Sequence, residues 1–318
     1  MLMEGFELLD VAGPVQVFDS AREHGAPYEI QLVGLDACVA SAQGVVLHCQ
    51  LGLPKVGSGD HVVVPGVEAR RRELIAPIIL DWLRSSAGAG AQISSICAGA
   101  FVLGRAGLLD GRRCTTHWEL TEVLAKRFPN TTVSDDALFV EDGPITSSAG
   151  VASGIDLALW LVERDYGPLI TAQVARALVV YLRRDGTQLQ TSVYLDYRTH
   201  LNPTVHRAQD WIQAHFTESV TLDDIGRQVG LSGRHLARTF KMATGLTPLG
   251  YRHRLRLELA RTLMSSPELS LETIATGCGF GDVRSFRRMW RSHFRTSPSD
   301  TRRTLSDPRT LLEPSRDG

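Results

Sequence analysis

Hydrophobic positions follow two rhythms along this chain of 318 residues. In the first half, short β-branched runs alternate with amphipathic stretches. YEIQLVGL, HVVVPGV and QISSIC read as strands, and the stretches 75–85, 98–106 and 118–128 carry the three-to-four spacing of helices. Regular alternation of this kind predicts an α/β fold, a parallel sheet covered by helices. In the last hundred residues the spacing is helical, and it repeats. Between the two parts lies a polar, mixed segment, DGTQLQTSVYLDYRTHLNP. The expected organisation is therefore a first domain over 1–186, a linker over 187–202, an all-α domain over 203–304 and a frayed tail over 305–318. Tyr194 and Tyr197 are the linker residues expected to dock on one domain or the other.

The repeat is a helix-turn-helix met twice. TLDDIGRQVGLSGRHLARTFK runs from Thr221 to Lys241, and SLETIATGCGFGDVRSFRRMWR from Ser270 to Arg291. Ile225 with Ile274 and Gly230 with Gly279 correspond at an offset of 49. Leu236 with Phe286, Arg238 with Arg288 and Phe240 with Trp290 correspond at 50, so the one-residue slip falls in the turn. Thr221 and Ser270 are expected to cap a short helix, and Gly226 or Ala275 lets a second helix cross closely. Gly230 and Gly279 allow the tight turn. The second helix buries Leu236 and Phe240, or Phe286 and Trp290. That leaves Ser232, Arg234, His235, Arg238 and Lys241 outward in the first copy, and Arg284, Arg287, Arg288 and Arg291 in the second. A helix with one apolar face and one guanidinium-rich face suits the major groove of double-stranded DNA, where Arg bonds guanine edges bidentately.

Charge fits once the chain is divided. The whole carries a formal −1, which excludes nothing. From residue 203 onward there are 18 Lys and Arg against 12 Asp and Glu, a net of +6, and the preceding part has 16 against 23, a net of −7. A basic module joined to an acidic partner domain is the pattern of a nucleic-acid binder whose other half stays off the phosphates.

The tail from about 203 to 303 resembles the AraC/XylS class of bacterial transcriptional regulators. LSGRHLARTFKMATGLTP, RLRLELARTLMSS, IATGCGFGDVRSFRRMWRSHF and SPSDTRR carry the likeness. The resemblance implies seven helices, the long one from about Pro248 to Ser265 holding two readers against successive major-groove faces. Two residues depart from the pattern. Arg295 stands where Gly is usual, as Gly245 does in the first copy, which predicts strain on leaving the second reader. Thr301 stands where Tyr is usual, which predicts looser C-terminal packing.

In the first half the telling segment is SSICAGAFVLGRAGLLDGRRCTTHW. A strand ends at Cys97, turns through small residues and becomes a helix at once, the layout of a nucleophile elbow. The helix dipole and free N–H groups there are expected to favour a thiolate. Together with ELLDVAGPVQVF, VVVPG, LLDGRRCTTHW and SSAGVASGIDLALWLVE, this segment resembles the ThiJ/PfpI group, the class I glutamine-amidotransferase-like, flavodoxin-like sandwich. Joined to the AraC-type tail, the whole resembles a GlxA-type regulator. The resemblance assigns a pocket bordered by an acidic loop residue, Asp10, the elbow residues Cys97 and Ala98, His117, and the loop glycine Gly66. Gly-Gly is usual at that loop, whereas this chain has Gly66-Val67, and a β-branched residue there is expected to hinder an oxyanion donor.

The expected function is a DNA-binding transcription regulator controlled by a small-molecule effector in the first domain, acting as a homodimer through that domain. Two alternatives stay open: a cysteine hydrolase or hydratase with a tethered DNA module, and a redox-sensing thiol. No cofactor or metal is expected, since the five Cys and ten His lack ligand spacing. Free cysteines fit a reducing cytoplasm, and no apolar run approaches the length of a membrane span. MLMEGFE before Asp10 is short for a central parallel strand, so the natural start is expected upstream, with a groove or open sheet edge beside the opening strand.

Overall fold

The computed structural model describes residues 1–135, 137–180, 184, 186, 190, 197–264, 266 and 268–306, and divides into two compact units, Met1–Gln190 and Thr191–Gly318. Tyr194 and the tail beyond 306 lie outside the described residues.

In the first unit four strands make one sheet. His61–Val64 and Ile145–Ser148 flank Gln92–Ile96, both parallel to it, and Phe139–Asp142 adds an antiparallel edge. The runs HVVVPGV and QISSIC thus form strands as their β-branched content predicts. The opening helix Leu8–Glu23 packs along Ala152–Tyr166, which in turn packs on Pro168–Ala177. Pro77–Gly88 and Gly99–Arg105 pack on the elbow strand. Val64, Leu83, Ile93, Ile96 and Leu103 are fully buried between these layers. This is the α/β sandwich that the alternation predicts.

The expected strand YEIQLVGL is corrected by the structure, since only Val33–Gly34 is extended, paired with Gln50–Leu51. Tyr28 is drawn away by its hydroxyl, which donates to Asp165 at 2.9 Å, and by its ring, held against Phe18 and Tyr166. Met1 to Met3 are buried, with Leu2 N–H donating to Val33 O at 2.7 Å and the Met1 ammonium to Val63 O at 2.9 Å. A cavity of about 850 Å³ lies beside them, lined by Asp10, Tyr28, His61 and Arg164 among others.

The second unit has seven helices among the described residues: Pro203–His215, Leu222–Val229, Gly233–Thr244, Pro248–Leu263, Leu271–Gly277, Val283–Phe294 and Pro298–Ser306. Polar caps explain where they begin. Asn202 Oδ1 accepts from Thr204 and Val205 N–H, Thr221 and Asp224 form a reciprocal capping box, and Ser232, Thr247, Ser270 and Asp282 each accept from an N–H of the first turn. Each cap is worth about 1 kcal/mol. Two apolar cores form. Ile212, Ile225, Leu236, Phe240, Tyr251 and Leu255 close the first, and Leu257, Ile274, Phe286 and Trp290 anchor the second. Tyr197 docks on the first, edge-on to Tyr251 at 5.9 Å.

Arg295 ends the second reader helix in the left-handed region, φ +57, where Gly245 ends the first at φ +76. A Cβ in that conformation costs about 1–2 kcal/mol. Arg295→Gly is expected to raise unfolding stability by about 0.5–1 kcal/mol, since the added freedom of the unfolded glycine offsets part of the relief. Urea titration of the two proteins checks it, and a less stable variant would show that the arginine side chain outweighs its backbone. Thr301 spends its hydroxyl locally, on Ser297 O at 3.1 Å and on Thr296 at 3.0 Å.

Candidate functional site

Cys97 sits between the strand Gln92–Ile96 and the helix Gly99–Arg105, with φ +54. A non-glycine residue in that region costs about 1–3 kcal/mol and persists only where its surroundings over-determine it. They do so here. Cys97 N–H donates to Ser148 O at 2.9 Å, and Thr116 Oγ1 donates to Cys97 O at 2.7 Å. The side chain is held up from the end of the sheet, as the elbow layout predicts.

Asp10 meets it from the opening helix. The carboxyl was expected on a loop, but it belongs to the first turn of Leu8–Glu23 and is fully buried. Its Oδ2 accepts from Gly66 N–H at 2.9 Å and its Oδ1 from Val151 N–H at 3.0 Å. Burial pushes its pKa up to about 6, against the lowering effect of the two amide hydrogen bonds. Val151 is the residue that sequence reasoning missed. It is β-branched, with φ +49, and it begins the helix Ala152–Tyr166, a conformation held by the Asp10 bond.

Glycine is required on both sides of the thiol. A Cβ on Gly66 would stand 2.8 Å from Asp10 Oδ2 and 3.2 Å from Cys97 Cβ, and one on Gly150 would stand 2.3 Å from Cys97 Cβ. Val67, the departure from Gly-Gly, turns into the core at 1 % exposure. Gly66 is thus free to approach, but its N–H is already committed to Asp10.

The expected thiolate is corrected. Burial first, and then the Asp10 charge, push the Cys97 thiol up to about 12, and the Ala98 N–H only partly offsets them. Near neutral pH the protonated thiol therefore predominates. Iodoacetamide is expected to alkylate exposed Cys38 well before Cys97, as read by mass spectrometry of timed digests. Faster labelling of Cys97 would mean that the elbow is an activated nucleophile.

His117 was expected at the pocket. Its Nδ1 lies 3.7 Å from Glu119 and its ring 5.7 Å from that of Trp118. The residue of this loop that reaches the elbow is its neighbour Thr116. Asp10, Gly66, Cys97 and Ala98 therefore converge, and His117 stands beside them on the Thr116 loop. That loop has a second partner. The Gln190 side-chain amide donates to Thr115 Oγ1, Thr116 O and Ala137 O, each at 3.0 Å.

The reader residues lie as their spacing predicts. Ser232, Arg234, His235, Arg238 and Lys241 are exposed around the helix Gly233–Thr244, opposite buried Leu236 and Phe240. Ser232 Oγ also accepts from His235 N–H at 3.4 Å, so it caps the helix it was expected to read with. Arg284, Arg287, Arg288 and Arg291 are exposed around Val283–Phe294, with Arg287 4.0 Å from Glu272. The turns pass through Gly230 at φ +74 and Gly279 at φ +81. The cap Asp282 was legible in the run GDVRS and was overlooked.

Comparison with known proteins agrees with both halves. The DJ-1/PfpI family model matches residues 1–164 and a helix-turn-helix domain model matches 225–304. The HTH-type transcriptional regulator CdhR of Pseudomonas aeruginosa is 30 % identical over 96 % of this chain and 91 % of its own length. The HTH-type transcriptional regulator GlxA of Rhizobium meliloti is 26 % identical over 95 % of this chain and 94 % of its own. The crystal structure of an AraC family transcriptional regulator from Pseudomonas putida superposes on 55 % of this chain and 95 % of its own, with TM-score 0.50 and 28 % identity. The chain belongs to the DJ-1/PfpI family and continues into an AraC-type helix-turn-helix domain. It is a DNA-binding transcriptional regulator of the HTH type.

Proposed function

We propose that the first unit binds a small-molecule effector at the Asp10–Cys97 elbow without turning it over, and that occupancy there governs DNA binding by the second unit. One observation carries the non-catalytic reading: Asp10 takes up the Gly66 and Val151 N–H groups beside the elbow. A hydrolase needs such donors free for an oxyanion, and a base to ionise its cysteine. Here the nearest acid raises the thiol's pKa instead. The same observation weighs against the redox reading, which needs a thiolate.

Gln190 supplies the route outward. It is the last residue of the first unit, and its amide holds the loop whose Thr116 hydroxyl holds Cys97 O. A ligand that moves the elbow therefore pulls on the point where the chain leaves for the DNA-binding unit. The reading includes a homodimer through the first unit, in a cytoplasmic protein on the nucleoid; among the described residues no helix is long and apolar enough to cross a membrane. Light scattering of the full chain tests the dimer, and a monomeric mass at working concentration would remove it.

A thermal-shift screen of metabolites on the full chain supplies the effector, since a ligand at a hundred times its Kd stabilises by about 2.7 kcal/mol. Cys97→Ala is expected to weaken the effector response of DNA binding while leaving basal binding within about twofold, a difference below about 0.5 kcal/mol. Loss of basal binding in a folded Cys97→Ala protein would make the elbow a structural element. Turnover of any screened ligand that disappears in Cys97→Ala would restore the enzyme reading.

A further inference from the structure

The two readers have separate cores, and the seam between them falls on one residue. Along the linking helix Pro248–Leu263, Leu255 belongs to the first core and Leu257 to the second. Arg256 lies between them. Its side chain is buried, at 6 % exposure, where the helical spacing would otherwise put an apolar residue.

Its partners lie on both sides of the seam. Nε donates to Phe216 O and Nη2 to Glu218 O at 2.7 Å, both in the segment that joins Pro203–His215 to the first reader. One turn earlier, Arg252 Nη1 donates to Val220 O in the same segment at 2.6 Å. On the other side, the guanidinium of Arg256 stands 5.9 Å from the ring centroid of Phe280, a second-core residue. Gly279, the turn glycine of the second reader, closes the contact from there. A Cβ at that position would lie 2.1 Å from Thr217 O and 2.8 Å from Thr217 Cα. Backbone therefore meets backbone, with segment 216–220 between the linking helix and the second reader's turn.

The energetics indicate what such an arrangement is for. Burial lowers the Arg256 guanidinium to about 10, with the Arg252 charge adding to the effect. Burying a guanidinium against carbonyl oxygens is a poor way to gain stability, and an apolar side chain of similar volume often serves better. What the planar fork supplies is direction, because it fixes where two carbonyls must lie. An apolar seam would let the readers slide or tilt about the helix.

We infer that Arg256, with segment 216–220 and Gly279, is a rigid joint that sets the angle between the two readers and so the spacing of the DNA site they accept. The inference rests on both readers engaging DNA. One inserted base pair moves the second subsite by about 3.4 Å and turns it by about 35°. A rigid pair cannot follow that movement, whereas a loosened pair can.

The test uses the full chain and a duplex selected from a random-sequence library with the wild-type protein. Hydroxyl-radical footprinting first locates the protected segments, and single base pairs are then inserted or deleted between them. For the wild type, one inserted pair is expected to weaken binding on the order of tenfold, comparable to losing a base contact. For Arg256→Gln the same insertion is expected to weaken binding less than about threefold relative to that variant's own best spacing. Arg256→Lys, which keeps the charge and loses the fork, should fall between the two. Gly279→Ala drives the contact apart by another route and carries the comparison if Arg256→Gln does not fold. An unchanged spacing penalty in either folded variant overturns the joint, as does a wild type that protects both segments and ignores the insertion. A footprint confined to one major-groove segment would instead remove the two-reader reading, and the joint with it.

Discussion

Arg234→Ala is expected to lower affinity for a selected duplex by about 5- to 150-fold, or 1–3 kcal/mol, and to relax preference at particular base pairs. Arg234 is exposed in the first turn of the helix Gly233–Thr244, the end that a helix-turn-helix brings to the base edges. Arg291 is the contrast. It lies in the last turn of Val283–Phe294, and there its guanidinium is expected to meet phosphate rather than a base edge. Arg291→Ala is expected to weaken binding to all sequences alike and to reduce the salt slope by about one phosphate, roughly 0.9 in log K against log salt. Titrations of both variants on selected and scrambled duplexes at several salt concentrations decide the matter. Equal losses on both duplexes for Arg234→Ala would end its role as a base reader.

The second large effect is expected at Asp10. Asp10→Ala removes the acceptor of two N–H groups, Gly66 and Val151, and each unsatisfied donor costs about 1–3 kcal/mol. The Val151 strain also loses its restraint, so a destabilisation of about 2–6 kcal/mol is expected in denaturant titrations, enough to unfold a marginal domain. Asp10→Asn separates shape from charge. The native carboxyl, raised from 3.8 to about 6, keeps a proton that the unfolded chain has released between those values. Its contribution to stability is present below pH 4 and lost as pH rises through about 6. The stability of wild type relative to Asp10→Asn should therefore fall over that window, by on the order of 3 kcal/mol in all. A difference between the two proteins that does not vary with pH would show that Asp10 is solvated like a surface acid.

Much of this molecule is legible in its sequence, and the parts that are not share a cause. The readers are legible because a helix-turn-helix is local. The caps Thr221 and Ser270, the turn glycines and the faces of Leu236, Phe240, Phe286 and Trp290 follow from spacing alone, and the structure places each as spacing predicts. The elbow strand and helix are local in the same sense. The thiol's state is not, because the dipole argument counts only Cys97's own helix. The larger influences are burial and a carboxyl 87 positions earlier in the chain. Val151 was missed for a similar reason, since its conformation is held by a residue on another helix. Gln190 reads as a linker polar residue, and nothing in the spacing singles out Arg256 on the linking helix, until folding places carbonyls around them.

Two cores on one shared helix also bear on how such a regulator changes over generations. Each reader closes around its own apolar set, with its own cap and its own turn glycine, and the boundary falls at Arg256 on Pro248–Leu263. A substitution in the second core, at Ile274 or Trp290, reaches the first reader through the linking helix and segment 216–220. The two halves of the recognised DNA word can therefore drift separately under selection, one letter group at a time. Their separation on the duplex is inherited as a single trait.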